Sequence, residues 1–559
     1  MNQNRSQRRR PFKGTRLVPV VALLAAGGAA FVYGLLVGKY EIFPYPYIQE
    51  VYRAILPGDD PNPVTRVRAL HTVLEQHVVT PDAPLLGYGG GISRFGDIVV
   101  GVDSGGHFFY YVDGRIEPLQ IEANPNREAA IEYIDRHMPE ELKREASGNF
   151  RVFDLELRRS GDSAEFYMTH HYWDEAQSAR LSRISRLVVK DLPALIDNST
   201  NYGAKDWELV YECQPAIPFG SQYPSPFLSN HTNGRLAIGP DGGIYVSFGD
   251  AKFDGVTNPF IAPQEDGTCF GKIFHIDPTS LQAREVARGL RNPQGLMFDA
   301  ESQLWSTEHG PHGGDELNLI EDGTNYGWPY NTHGTSYDGR RDWPLAIDPG
   351  RHEEFSPPVY SWLPSVGASA ILQVGERPAV WRGDFLMGSL KGGALHRMRV
   401  RDRRVVFEER ITIGERIRDL VQLDDSRFIL WTDTPHLLVL QPTIKSAGLE
   451  LPVPLTDTEK DNGIGAALAT CSACHALGPD EVSPVAPSLW GVYRRPIGST
   501  DFPGYSLALR TMEGDWDDDA LAQFLAAPQS FANGTTMRTP LPMSEDNRIL
   551  LIGYLKRLQ

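Results

Sequence analysis

Cysteine is scarce, with four residues in a chain of 559. That excludes a disulfide-dense scaffold, though not one local disulfide or a covalently attached cofactor. Positive charge is also in deficit: 54 Lys and Arg stand against 71 Asp and Glu, for a net charge of -17. A chain so acidic excludes nucleic acid as a partner. Long apolar runs are absent but for one, Leu17 to Gly38, which carries no charge over 22 residues. As a helix it would measure about 33 Å, enough to cross a bilayer. Arg5, Arg8, Arg9, Arg10, Lys13 and Arg16 precede it without an acidic residue among them. The expectation is a cytoplasmic tail over 1–16 and a single transmembrane anchor over 17–38, placing the rest in the periplasm of a bacterium, on its inner membrane. A cleaved signal peptide is the alternative.

What is present is ordinary globular composition, 41% hydrophobic and 22% charged, which argues against wholesale disorder. Residues 39–84 read as a juxtamembrane stalk, with a short helix expected from Thr65 to about His77 because Val67, Leu70, Val73 and Leu74 fall at helical spacing. From 85 to 440 short alternating runs are broken by Gly, Asp, Asn and Pro, an all-β texture. Arg235 to Asp250 (RLAIGPDGGIYVSFGD) and Arg418 to Asp433 (RDLVQLDDSRFILWTD) align residue for residue in shape, and each ends in Asp. Gly295 to Gly310 has the same form. Repeated hairpins at irregular spacing predict a β-propeller of six blades rather than a β-sandwich, for which this stretch is too long. Gly310 to Pro357 reads as a long functional loop, 441–460 as a Pro-containing linker, and 461–559 as a small helical domain.

In that last domain Cys471-Ser472-Ala473-Cys474-His475 is C-x-x-C-H, the attachment signature of c-type haem. Two thiols about one helical turn apart can each form a thioether with a haem vinyl group, and the adjacent imidazole then faces the iron. A zinc site would need a second Cys or His pair, which the spacing does not supply. Ala486-Pro487-Ser488-Leu489-Trp490-Gly491 and Asn533-Gly534-Thr535-Thr536-Met537 follow in the order found in class I cytochromes c, which the segment resembles over about its whole length. The resemblance implies Cys471 and Cys474 as covalent attachment points, His475 and Met537 as iron ligands, and a haem; Met543, six residues on, and Met512 upstream are the alternatives to Met537. The acidic run Asp515, Asp517, Asp518 and Asp519 is read as a helix cap. Such haem attachment takes place outside the cytoplasm, so Cys213 and Cys269 meet oxidising conditions; a disulfide and two buried thiols both remain open.

The β region carries a second set of motifs. His231-Thr232-Asn233-Gly234-Arg235-Leu236, Arg291-Asn292-Pro293-Gln294-Gly295, Thr307 to Asn318 (TEHGPHGGDELN), Asn325 to Pro329 (NYGWP), Ser389-Leu390-Lys391 and Arg416-Ile417-Arg418-Asp419 fall in the order of the soluble PQQ-dependent aldose (glucose/sorbosone) dehydrogenases, which this region resembles. Holding a tricarboxylated quinone needs several cations aimed at carboxylates, and Arg and Lys supply them. The resemblance implies PQQ contacts from Arg291, Asn292, Gln294, Lys391, Arg416 and Arg418, with His231 and Arg291 as the catalytic pair and His231 as general base. It also implies an active-site Ca2+ on the Gly310 and Pro311 carbonyls and a structural Ca2+ involving Asp315, Glu316 and Tyr326. The expected protein is thus a mainly β six-bladed propeller followed by an all-α cytochrome. It would oxidise an aldose or other polyol or alcohol through PQQ, with electrons passing to the fused haem and on to a soluble cytochrome c or terminal oxidase. The rival reading is a PQQ-free carbohydrate- or protein-binding propeller that carries the haem as an electron relay.

Overall fold

The computed structural model describes residue 65 onward, apart from 71, 82–84, 86–88, 124, 221–225, 233, 338–340, 444–450, 473–474, 480–485, 503, 536 and 538–542. The expected tail and anchor over 1–38 lie outside the described residues. Among the described residues no helix is long and apolar enough to cross a membrane.

Six sheets make the propeller, antiparallel but for Thr324–Asn325, which lies parallel to Ala283–Arg288. Their innermost strands are Gly90–Phe95, Val152–Ser160, Gly234–Ile238, Pro293–Phe298, Ala368–Gln373 and Ile417–Gln422, and each packs against the next until the last meets the first. Burial follows from this ring. The apolar side chains collect in wedges between neighbouring blades rather than in one central core. Val100, Phe108, Leu155 and Phe166 fill the wedge between the first and second blades. Leu386, Leu395, Leu420 and Leu430 fill the one between the fifth and sixth. The hairpin repeats seen in the sequence are the inner two strands of the third, fourth and sixth blades, each paired antiparallel.

The sixth blade closes the ring with both ends of the domain. Thr65–Ala69 and Thr72–Val79 add to Leu437–Thr443, with Val73 opposite Thr443 and Val79 opposite Leu437. This corrects the helix expected over 65–77 and moves the start of the propeller from 85 to 65. In 72–79 the buried positions Thr72, Leu74 and Gln76 alternate with half-buried ones, and pairing with 437–443 outweighs a helical spacing that those few apolar residues also satisfy. A second correction concerns the loop expected over 310–357. Asp315–Ile320 is the third strand of the fourth blade, and Tyr360–Trp362 is its outer strand. The long excursion runs between them. Two helices unforeseen in the all-β reading, Arg127–His137 and Glu140–Asn149, join the first blade to the second and pack Ala130, Ile134 and Ala146 into the adjoining wedge.

Cys213 and Cys269, both buried, form a disulfide with their Cα atoms 5.5 Å apart. The C-terminal domain is helical as expected, with Ile464–Ser472 leading into the C-x-x-C-H segment and Glu545–Arg557 at the end. The Asp517 carboxylate accepts the Ala520 N–H at 2.9 Å and so caps Asp518–Ala526, the role assigned to the acidic run. Leu468, Trp516, Leu521, Phe524, Leu551 and Tyr554 form its core.

Candidate active site and haem cavity

Antiparallel pairing places the start of every inner strand and the end of the strand beside it on one rim of the ring. Gly234 lies opposite Phe248, Pro293 opposite Glu308, Ala368 opposite Ser389 and Ile417 opposite Thr432. Arg291, Asn292 and Arg416 directly precede inner strands and His231 lies three residues before one; His309 and Asp433 directly follow second strands, and Asp250 and Lys391 lie two residues past theirs. Residues from four blades therefore share one mouth.

His231 is buried, and its Nδ1 bonds Asp250 Oδ1 at 2.9 Å. Asp250 is wholly buried, and its second oxygen accepts the Trp328 indole N–H at 2.8 Å. The carboxylate thereby fixes the imidazole tautomer with the proton on Nδ1 and the lone pair on Nε2. Burial lowers the His231 pKa, the Arg291 charge lowers it further, and Asp250 opposes both. Burial alone would raise the Asp250 carboxyl, but His231 and Arg291 outweigh it and hold the group below its ordinary range. The neighbouring chain has no room to spare: a Cβ at Gly249 would stand 2.3 Å from the His231 carbonyl oxygen.

Arg291 is held from several sides. Its backbone N–H donates to Glu308 at 2.6 Å, its Nη1 donates to the carbonyls of His309 and Gly310 at 2.9 Å each, and its Nη2 donates to the Tyr337 hydroxyl at 2.5 Å. The guanidinium also lies 5.3 Å from the Trp328 ring centre. Asn292 reaches His309 Nδ1 at 3.4 Å, and Gln294 donates to the Asn292 side-chain oxygen at 2.9 Å. With Nδ1 accepting, His309 carries its proton on Nε2, a buried atom without a hydrogen-bond partner among the described residues. Burial pushes the His309 pKa down to about 4; Asp315 pulls it up, and Arg291, His231 and Arg418 push it lower. The mouth thus gathers neutral imidazoles among fixed positive charges.

On the sixth blade Arg416 donates to Asp433 at 2.5 Å and to the Leu390 carbonyl at 3.3 Å, while Arg418 shares the same Asp433. Lys391 is exposed on the adjacent turn, with its backbone N–H bonded to Val366 O at 2.9 Å. The Gly310 carbonyl already accepts from Arg291, which leaves one lone pair, and Pro311 beside it is buried. Of the residues grouped as a structural calcium site, Glu316 and Tyr326 line one small cavity with Glu308 and Gly310, and Asp315 is engaged elsewhere. The Asp315 carboxylate accepts from the N–H groups of Gly310, Val366, Gly367 and Ala368, and the Tyr326 hydroxyl donates to Leu319 O at 2.6 Å. Glu316 also turns to His333 and His352.

A family profile described as Glucose / Sorbosone dehydrogenase matches residues 152–439. The chain belongs to the glucose/sorbosone dehydrogenase family. It thereby joins the oxidoreductases that act on sugars. It is 30% identical over 238 residues to an aldose sugar dehydrogenase of Escherichia coli K12, covering 40% of this chain and 62% of that one. To quinoprotein glucose dehydrogenase B of Acinetobacter calcoaceticus it is 32% identical over 128 residues, 19% of this chain and 27% of the relative. A cytochrome c homolog of Rickettsia bellii shares 39% identity over 97 residues, 17% of this chain and 56% of that protein. The chain therefore spans less than two thirds of each of these three relatives, and the propeller and the cytochrome find different ones.

Within the family's propeller the sequence reading missed Asp250, Trp328, Glu308, Tyr337 and Asp433 as supports of the mouth. A signal for two of them was present. Asp250 and Asp433 are the final residues of the two aligned hairpins, and each binds the residue that precedes the inner strand of its own blade, His231 in one and Arg416 in the other.

The cytochrome domain encloses a cavity of about 650 Å³, lined among others by Cys471, His475, Pro487 and Met537. Met512 and Met543 lie outside this lining. His475 Nδ1 bonds the Pro487 carbonyl at 2.6 Å, which leaves Nε2 as the electron-pair donor towards the cavity. Burial holds its pKa below the ordinary value. Cys474 lies outside the described residues. An oriented imidazole, a thioether and a thiol around one apolar cavity fit a covalently bound haem. Leu70, Arg397, Arg399 and Phe407 of the propeller complete the wall.

Proposed function

We propose that this chain is a periplasmic quinohaemoprotein sugar dehydrogenase anchored in the inner membrane by the apolar run 17–38. Aldoses are the favoured substrate class, with other polyols and alcohols beside them. The observation that carries the reading is the His231–Asp250 pair at 2.9 Å, set beside Arg291 on the rim where the remaining cations gather. A neutral Nε2 kept free by a bonded Nδ1 is what a general base for a sugar hydroxyl needs. Asp250 orients the ring and stabilises the imidazolium once the proton arrives.

PQQ, when bound, would supply the two-electron acceptor for the hydride that leaves the substrate carbon. The buried Nε2–H of His309 and the Asn292 amide are suited to its oxygens, and Arg291, Lys391, Arg416 and Arg418 to its carboxylates. Arg416 and Arg418 already share Asp433, so a tricarboxylate would add to a charge cluster that is still net positive there. Pro311 and the open lone pair of Gly310 are oxygen donors of the kind Ca2+ takes. The fused haem would then remove electrons one at a time and hand them to a soluble cytochrome c or a terminal oxidase.

The test uses the full-length haem protein. PQQ and Ca2+ are added and the haem absorption is followed while a panel of aldoses, polyols and alcohols is supplied. Reduction of the haem that requires PQQ and is lost in His231→Gln supports the reading. An oxidised haem with every member of the panel, despite measured PQQ binding, would favour the ligand-binding propeller instead.

A further inference from the structure

Beneath the rim, Glu316 meets two histidines that no part of the reading above uses. Glu316 lies on the strand Asp315–Ile320, and His333 and His352 come from the excursion that follows it. One ligand-type atom from each of the three lies within 4.8 Å of the other two. The His333 and His352 ring centres are 4.8 Å apart.

His352 is the informative member. Its side chain is 2% exposed, and neither ring nitrogen has a hydrogen-bond partner among the described residues. Buried polar nitrogens are rarely left so, because desolvation is then uncompensated. Its Nε2 stands 3.6 Å from Glu316 Oε1. That is too long for a hydrogen bond of ordinary strength and close to the separation of two ligands on one tetrahedral ion, which is about 3.3 Å for bonds of about 2.0 Å. His333 is oriented from behind: its Nδ1 bonds the Ser361 hydroxyl at 2.7 Å, which directs Nε2 the other way. Ser361 is the register partner of Glu316 across the fourth blade. The same strand pair thus presents one ligand and buttresses another. Glu316 itself is steadied by the Asn318 amide, 3.3 Å from Oε2, which leaves Oε1 for the histidines.

The donor set decides the chemistry. Two imidazole nitrogens and one carboxylate suit a divalent transition ion of the zinc type, whereas Ca2+ takes oxygen almost alone. We propose that Glu316, His333 and His352 form a binding site for one such ion, with water completing the coordination. It would clamp the excursion that carries Tyr337, the residue bonded to Arg291, to the fourth blade.

The probe is Zn2+ added to the full-length haem protein after chelation, with excess Ca2+ and Mg2+ present, followed by dialysis and elemental analysis against haem iron as the internal count. The expected result is one zinc per iron and a thermal midpoint that rises with zinc. In His352→Ala and His333→Asn, affinity should fall by about 100-fold or more and the zinc-dependent shift should vanish, with Glu316→Gln as the near-isosteric third variant. Circular dichroism identifies any variant that fails to fold, and the remaining ones decide. No bound zinc in the wild type, zinc unchanged in the folded variants, or zinc displaced by the excess Ca2+ would overturn the site. None of these outcomes touches the dehydrogenase reading, which is judged by haem reduction.

Discussion

Arg235 and Asp419 stand 184 residues apart in the chain and meet at 2.7 Å in the ring. The other side of the same guanidinium holds Asp154 at 3.1 Å, so one arginine of the third blade ties the second blade to the sixth. Asp154 in turn accepts the Leu236 N–H at 2.7 Å, and Asp419 accepts the Ile92 N–H at 2.9 Å. Arg235→Leu would leave two buried carboxylates without their counter-charge, and we expect a loss of about 3–5 kcal/mol in urea unfolding of the propeller. Arg235→Lys should recover only part of it, because an ammonium cannot fork to both acids.

Glu156 sits next to this cluster. Burial, reinforced by the Asp154 charge, pushes its carboxyl up to about 8, with the Ser93 hydroxyl bond at 2.9 Å and the Arg235 charge acting the other way. A carboxyl whose pKa rises on folding binds more protons in the native state than in the unfolded one. Its contribution is complete below the unfolded value of about 4.3 and is lost as pH climbs towards about 8. Stability of the wild type should therefore fall over that window by at most about 1.4 kcal/mol per pH unit from this group. Glu156→Gln should flatten the slope in unfolding curves taken from pH 5 to pH 8. An identical slope in the variant would rule the assignment out.

Asp250→Asn should leave the fold intact and lower kcat by about a hundred- to ten-thousandfold, since the imidazole loses both its fixed tautomer and its counter-charge. The pH profile separates the two roles. The base must be neutral, so activity is lost as pH falls through the His231 pKa, which burial and Arg291 hold below the ordinary histidine value. Without Asp250 that acid limb should move lower still; with Arg291→Gln it should move up. An acid limb that stays in place in both variants would remove His231 from the proton transfer.

The Cys213–Cys269 disulfide spans 56 residues and links the end of the second blade to the connection inside the third. Chain-entropy arguments give a loop of that size about 4 kcal/mol. The Cys213→Ala, Cys269→Ala pair should unfold at clearly lower denaturant, and reductant should shift the wild type but not the variant.

Much of this was legible in the sequence because propeller blades repeat and cytochrome motifs are short and ordered. Hairpins such as 235–250 and 418–433 announce themselves through local alternation and turn chemistry. What stayed hidden depends on contacts made far along the chain. The strands at 65–79 exist because 437–443 offers them an edge, and the local pattern fitted a helix equally well. The support of His231 by Asp250 and Trp328 joins residues 19 and 78 positions apart. Asp315 and Glu316 are adjacent in the sequence, yet on a strand neighbouring side chains point to opposite faces, and of the two only Glu316 shares a cavity lining with Tyr326.

With Val73 laid against Thr443, the N-terminal hairpin and the last strand of the propeller share a seam. A ribosome must therefore deliver nearly the whole domain before the circle can shut, and until then the hairpin 65–79 waits with the second edge of 72–79 open and Leu74 uncovered. Trimming either terminus back past that seam would open the same sheet, so the tether to the cytochrome begins at the one place where the ring is fastened.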